Sequence, residues 1–364
     1  MTKMNDETSI PIELLIARYF IKYKRLDQLI QVAFAGSSAN SVDLFIDVYG
    51  IYKSIFSRHY ATNVSDYTSF TSSLVNMCGH YRAYFKSIGV STRIFIVSGY
   101  NIPEVNCKFV AGYNKTFKDK LNNKLIFDMV EQNIQLLELL APYLPDIHFV
   151  KTNFETSVAI YNIIKKEMNS GRVVPNIIIS ADLYPIQLTT ILEDTVYIKP
   201  KKNLGEDISE IVCPKSHPQH QNSFWGVVCQ EKDDFVLNES VVSISSRNYV
   251  LLAALNKFYD RNYKCIVNFT KANKIINSIV GAEDIVLTPD MLDRADPKLI
   301  EGLPLQIIDS RYKALDVIYQ DILFNDDKCP EPELLDFKNL TDDGAIQLIN
   351  DTYFTQNPID IFKL

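Results

Sequence analysis

The chain reads as an α/β protein with a mainly parallel central sheet and helices on both faces, followed by a helical region. Two observations predict this. Short runs rich in Val, Ile, Leu and Phe alternate with longer segments of helical periodicity as far as about Lys202. A parallel pair needs such a crossover, because the chain must be carried back to the same edge before the next strand starts. Beyond about Gly205 the texture changes, first to a polar, proline-containing stretch and then to helical patterns.

Each element follows from its own spacing. Ile10 to Phe34 repeats apolar positions at helical intervals and predicts an N-terminal helix or helical pair. "VDLFIDVYG", Val42 to Gly50, reads as the first strand, and helical patterns continue through Ser57 and from Asp66 to Ile88. "TRIFIVSGY" gives a second strand, Leu125 to Leu144 a strongly periodic helix, and "DIHFVK" a third strand. "FETSVAIYNIIKKEMNSG" predicts a helix closed by Gly171, a residue that ends helices because it tolerates left-handed backbone. "VVPNIIISAD" and "TVYIKPKK" supply the fourth and fifth strands, and "FWGVVCQE" a short later one. "NYVLLAALNKFY", "YKCIVNFTKANKIINSIV" and "SRYKALDVIYQDILF" are helical, and the last residues read as a packed tail helix and extension. The expected organisation is a helical extension over 1–41, an α/β domain over 42–204, a linker or loop region over 205–241 and a helical region over 242–364.

Composition narrows the function. With 364 residues, 47% hydrophobic and 22% charged, the chain has the make-up of a soluble globular protein. A net charge of −7 and a pI of about 5.4 confine any phosphate-binding surface to a local patch. The six cysteines show no CxxC spacing, which suits free thiols in a reducing interior. No secretory signal or membrane-spanning run is legible, so a cytoplasmic setting without a membrane is expected.

In parallel sheets, ligands sit beyond the carboxyl ends of the strands, so the acids there carry the chemistry. Asp47 lies near the end of the first strand, Glu155 opens the helix after the third, and Asp182 ends the fourth. Carboxylates at one sheet edge are the donors that hard cations such as Mg²⁺ and Mn²⁺ take, and such a metal activates water for phosphodiester cleavage. Taken singly, each acid also suits a helix cap or a strand-end turn. Other features stand alone. Cys213, His217, His220 and Cys229 match no common zinc spacing, and Trp225 fits a core position as readily as a base-stacking one.

This order of elements resembles the FEN/PIN-like 5′-nuclease superfamily, which includes phage 5′–3′ exonucleases and flap endonucleases. "LFIDVYGIYKSIF" resembles that family's first strand ending in aspartate, at Asp47. "NFETSVAIYNII" keeps the glutamate of a glutamate–alanine–aspartate–aspartate motif as Glu155, and "SADLYPIQL" keeps Ser180, Asp182, Gln187 and Leu188 of a later one. Ser98, Ser157 and Tyr184 stand where the resemblance implies carboxylates. "AGYNKTFKDK" supplies Lys115 and Lys118 at the family's phosphate-contacting element. "KPKKN" adds Lys199, Lys201 and Lys202, while "NFTKANKII", with Lys271, resembles half of a duplex-gripping helix–hairpin–helix turn without its glycines.

The resemblance implies a FEN/PIN-like protein, phage or viral, whose metal site is degenerate. Such a protein would bind DNA or RNA, branched or single-stranded, or phage and viral proteins, within replication, transcription or virion machinery. It would work inside a host cell or in a virion. Three neutral replacements leave too little negative charge for two dications about 4 Å apart. The alternatives are an active 5′ nuclease using Mg²⁺ or Mn²⁺ on Asp47, Glu155 and Asp182, and a structural interaction protein that meets no nucleic acid.

Overall fold

The structure, a computed structural model, describes residues 40–59, 68–99, 121–144, 146–152, 154–180, 184–192, 195–199, 210–212, 226–229, 235–238, 249–256, 266–279, 287–320, 333–334, 343–353 and 358–359. The sheet is centred on β1 (Ser41–Asp47), in which every residue after Ser41 is buried. Val42, Leu44 and Ile46 enter one hydrophobic core and Phe45 enters another. A strand covered on both faces loses the apolar–polar alternation and becomes a continuous apolar run, which is why "VDLFI" was legible.

β2 (Ser91–Ser98) and β4 (Asn176–Ile179) flank β1 in parallel. β3 (Ile147–Lys151) pairs with β2 and β5 (Thr195–Lys199) with β4, also in parallel. The parallel order is therefore β5-β4-β1-β2-β3. The chain builds outward from β1 to β3, then crosses back to begin β4 on the other side of β1. The crevice at such a reversal, between the carboxyl ends of β1 and β4, is where an open α/β sheet takes ligands.

Helices α1 (Val48–His59), α2 (Ser69–Ser87) and α3 (Leu121–Leu140) cover one face, burying Ile51, Phe70, Leu74 and Leu137 against Leu44, Ile94 and Ile177. α4 (Thr156–Asn169) and the short α5 (Leu188–Ile191) cover the other, with Val158, Ile160 and Leu188 against Phe45, Val97 and Ile178. Phe45 and Phe95, opposed in register, stack at 4.8 Å between ring centroids. As expected, Gly171 follows α4 with φ +86°, and its N–H donates to Met168 O at 2.9 Å. α1 begins at Val48, inside the predicted first strand, because the Asp47 carboxylate caps its first turn.

An ion network ties the opposite end of the sheet. Asp43, 2% exposed, accepts two hydrogen bonds from Arg93 and two from Arg172, and both guanidiniums also reach Glu167. Burial pushes the Asp43 carboxyl up, yet the hydrogen bonds from Arg172 and Arg93 outweigh it and hold the group below the ordinary carboxylate value.

Within 205–241, expected as linker or loop, β6 (Glu210–Val212), β7 (Gly226–Cys229) and β8 (Phe235–Asn238) extend the sheet from β5 in antiparallel pairs. β7 falls within the strand expected at "FWGVVCQE", whereas β6 and β8, three and four residues long, are too short for periodicity to register in a polar stretch. Among the described residues after 242, α6 (Tyr249–Asn256), α7 (Phe269–Ser278), α8 (Pro297–Ile300) and α9 (Leu305–Leu315) gather around a core of Leu251, Leu255, Ile275, Ile276 and Ile308. The last part of the chain returns to the α/β body. β9 (Glu333–Leu334) pairs with the outer edge of β3, and α10 (Asp343–Tyr353) places Ile346 and Ile349 in the core of the first face. The predicted helical extension over Ile10–Phe34 lies outside the described residues. No helix among the described residues is long and apolar enough to cross a membrane.

Candidate functional site

Parallel register brings Asp47, Ser98 and Ser180 to the carboxyl ends of neighbouring strands. Asp47 stands opposite Val97, Ser98 opposite Lys151, and Ser180 directly follows β4. Asp47 sits beside the strand-order reversal and is 3% exposed. Its Oδ1 accepts from the Gly50 backbone N–H at 3.0 Å and from the Thr156 hydroxyl at 3.2 Å. Its Oδ2 accepts from the Ser180 hydroxyl at 2.6 Å. One carboxylate thus caps α1, meets the first turn of α4 and bridges β1 to β4.

Backbone closeness makes this arrangement possible. At Gly50, a Cβ would lie 2.4 Å from Asp47 Oδ2. At Gly99, whose N–H donates to Thr156 Oγ1 at 3.2 Å, a Cβ would lie 2.4 Å from that oxygen and 2.7 Å from the Thr156 nitrogen. Glycine at these two places lets the chain leaving β1 and β2 press against the Asp47 carboxylate and the start of α4. Behind the edge, Tyr197 donates to Ser180 O at 3.2 Å and fixes the end of β4.

Glu155 occupies the N-cap position of α4 and is partly exposed. Its side chain makes no capping hydrogen bond, and its backbone carbonyl accepts from Val158 and Ala159. Capping by side chain therefore belongs to Asp47 and not to Glu155. Ser98 and Ser157, each 3% exposed, are buried neutral groups at the strand and helix ends where the resemblance places acids.

Asp182, Lys115, Lys118, Lys201 and Lys202 lie outside the described residues, as do Cys213, His217, His220 and Trp225. Lys199 is the last residue of β5. Lys271 is partly exposed in the first turn of α7, its backbone N–H bonded to the Asn268 side chain at 2.8 Å. Asn268 is an ordinary N-cap with extended backbone at φ −69°, so this turn needs no left-handed residue.

The donor set decides what metal chemistry fits. Among the described residues, no group of three or more Asp, Glu, His or Cys side chains could hold an ion. Around Asp47 the described partners are two hydroxyls and an amide N–H, which supply no negative charge. Two dications need several convergent carboxylates, and the described residues supply no such group. Sequence reading singled out Asp47 and, within the later motif, Ser180, but it neither joined the two nor picked out Thr156. Thr156 and Ser180 lie 109 and 133 residues from Asp47 and meet it only through strand register. Their one local signal is a hydroxyl residue at a helix start and at a strand end.

The parallel strand order, the helices on both faces and the helical unit that follows make up an α/β fold like that of FEN-type 5′ nucleases. No protein-family model and no curated protein matches the chain. Solved structures do. The flap-endonuclease protein of bacteriophage T5, co-crystallised with metal ions, aligns at a TM-score of 0.50 and 12% identity over 85% of this chain and 99% of that one. A pseudo-enzyme–product complex of the T5 flap endonuclease with DNA and metal ions gives 0.49 and 12%, over 88% and 98%.

Proposed function

We propose that this protein is a FEN-like fold with a reduced metal site, used to bind nucleic acid and not to cut it. The observation that carries the reading is the buried Asp47 carboxylate, accepting from Gly50, Thr156 and Ser180. In a metal-loaded nuclease site that carboxylate offers its lone pairs to cations. Here its described contacts are a cap and a strand bridge, and the neighbouring places hold Ser98 and Ser157. The fold outlasts the chemistry, because fold and activity are separable.

The proposed ligand class rests on the likeness to FEN-type structures. A FEN-like carboxyl edge with a helical unit behind it suits a branched or single-stranded DNA or RNA. Lys115, Lys118, Lys199, Lys201, Lys202 and Lys271 are the proposed phosphate contacts, and a chain of net charge −7 must concentrate them locally. We assign the protein to phage or viral replication, transcription or virion machinery inside the host cell, where it would also meet viral protein partners.

The test incubates purified protein with flap, nicked and single-stranded substrates in Mg²⁺ and in Mn²⁺, beside Asp47→Asn and Asp182→Ala. The expected result is no cleavage by any of the three, with salt-dependent binding of branched DNA. Cleavage that disappears in the variants would establish the alternative, an active nuclease with Asp47, Glu155 and Asp182 as ligands. No binding at low salt would leave a structural interaction protein.

A further inference from the structure

We infer that Gln187 is a positioning residue that locks the helical unit onto the carboxyl edge of the sheet, so that the two bodies act as one. The evidence lies where α9 breaks. The helix ends at Leu315, Asp316 leaves helical geometry at φ −77°, ψ 114°, and the chain turns helical again over 317–320. A break of this kind interrupts the helical ladder and leaves main-chain groups in need of partners. Some are met locally: the Asp316 carboxylate accepts from Ile318 N at 3.0 Å, and Gln320 Nε2 donates to Ala314 O. Two are met from the other body. Gln187 Nε2 donates to Leu315 O at 3.1 Å, and Gln187 Oε1 accepts from Val317 N at 3.0 Å.

A carboxamide is suited to this task because it presents one donor and one acceptor in a single plane, spaced like a peptide group. Glutamate at neutral pH lacks the donor, and leucine lacks both. Gln187 is 2% exposed, so water does not take over if the amide is lost. Packing reinforces the lock. Val317 is fully buried and joins Phe45, Val97, Ile178 and Leu188 in the core on the α4 side of the sheet. Tyr312 and Leu315, one turn earlier, belong to the core of the helical unit. Residues 315–317 thus pass from one core to the other, and Gln187 holds both sides of the crossing.

The consequence reaches the candidate site. Gln187 ends the single 3₁₀ turn Tyr184–Gln187 on the connection that leaves β4, whose end is tied to Asp47 through Ser180. A ligand that touches both the carboxyl edge and the helical unit therefore meets two surfaces at a fixed separation. The lock goes beyond the nucleic-acid reading and stands without it, since its test uses no nucleic acid.

Amide hydrogen exchange on the full chain tests it, with thermal unfolding followed by calorimetry. Gln187→Leu is expected to speed exchange at the Val317 amide at least tenfold while Leu44 to Ile46 in β1 keep their protection. Calorimetry is expected to split one transition into two. Gln187→Glu retains the volume and the acceptor for Val317 N but at pH 7 sets a carboxylate against Leu315 O with no donor, so it is expected to show the two transitions at pH 7 and a single one once the carboxyl is protonated and becomes a donor. Unchanged Val317 exchange in Gln187→Leu overturns the inference, as does a single transition at pH 7 in Gln187→Glu. So does a uniform loss of protection through β1 with a single transition, which marks ordinary core packing.

Discussion

Replacing Asp47 with Asn separates a structural carboxylate from a metal-binding one. Asparagine has nearly the same shape but no charge, and it turns one acceptor oxygen into an NH₂ donor. Asp47 accepts from Gly50, Thr156 and Ser180 at 3.0, 3.2 and 2.6 Å and is 3% exposed. Hydrogen bonds to a charged acceptor contribute about 1.5–3 kcal/mol each, against about 1 kcal/mol between neutral groups. The Ser180 hydroxyl can rotate to accept from the new NH₂, so part of the loss is recovered. A net destabilisation of about 1–3 kcal/mol remains. At an unfolding entropy of about 2.1 cal/mol/K per residue, cooperative melting of this chain would shift by about 1–4 °C. Calorimetry in a metal chelator is the assay. A melting temperature that rises in Asp47→Asn would refute the reasoning, because it would mean that the native charge is repelled by other carboxylates awaiting a cation. A rise in wild-type stability on adding millimolar Mn²⁺ that Asp47→Asn abolishes would refute it equally.

Two further outcomes follow from the same geometry. Asp43→Ala removes the acceptor of four guanidinium hydrogen bonds and leaves Arg93 and Arg172 facing each other. Chemical denaturation should show a loss of about 3–5 kcal/mol. Because the Asp43 pKa is lowered on folding, its contribution is complete above the unfolded value of about 3.9. It is lost as pH falls through the folded value, so acid unfolding curves of wild type and Asp43→Asn should converge at low pH. Gly99→Ala would drive a Cβ to 2.7 Å from the Thr156 nitrogen and 3.0 Å from Phe154 O, main-chain atoms that cannot swing aside. It should cost about 1–3 kcal/mol by denaturant titration, and a melting curve equal to wild type would show that the close approach of β2 to α4 is wrong.

The sheet was legible because its signal is local. "LFI" in β1, "IFIV" in β2 and "NIII" in β4 are buried on both faces, and each run alone announces that. The intervening helices were legible from their apolar stripes and from Gly171. The short strand β7 was legible in "FWGVVCQE", but β6 and β8 were not, since each is fixed by pairing with a neighbour already in place and not by its own pattern. Nor was the return of α10 to the first face, because a helix stripe does not say which of two cores it enters.

At the candidate site the division is the same. The sequence by itself determined that an aspartate would end the first strand and that Ser98 and Ser157 would be neutral. It also marked Gln187 as part of a motif. Only the tertiary structure decided that Asp47 spends its oxygens on Gly50, Thr156 and Ser180, and that Gln187 answers a helix break far along the chain. Residue type and local periodicity are properties of a short stretch of chain. Hydrogen-bond partners more than a hundred residues apart are set by strand register and by the packing of two cores, which no short stretch contains.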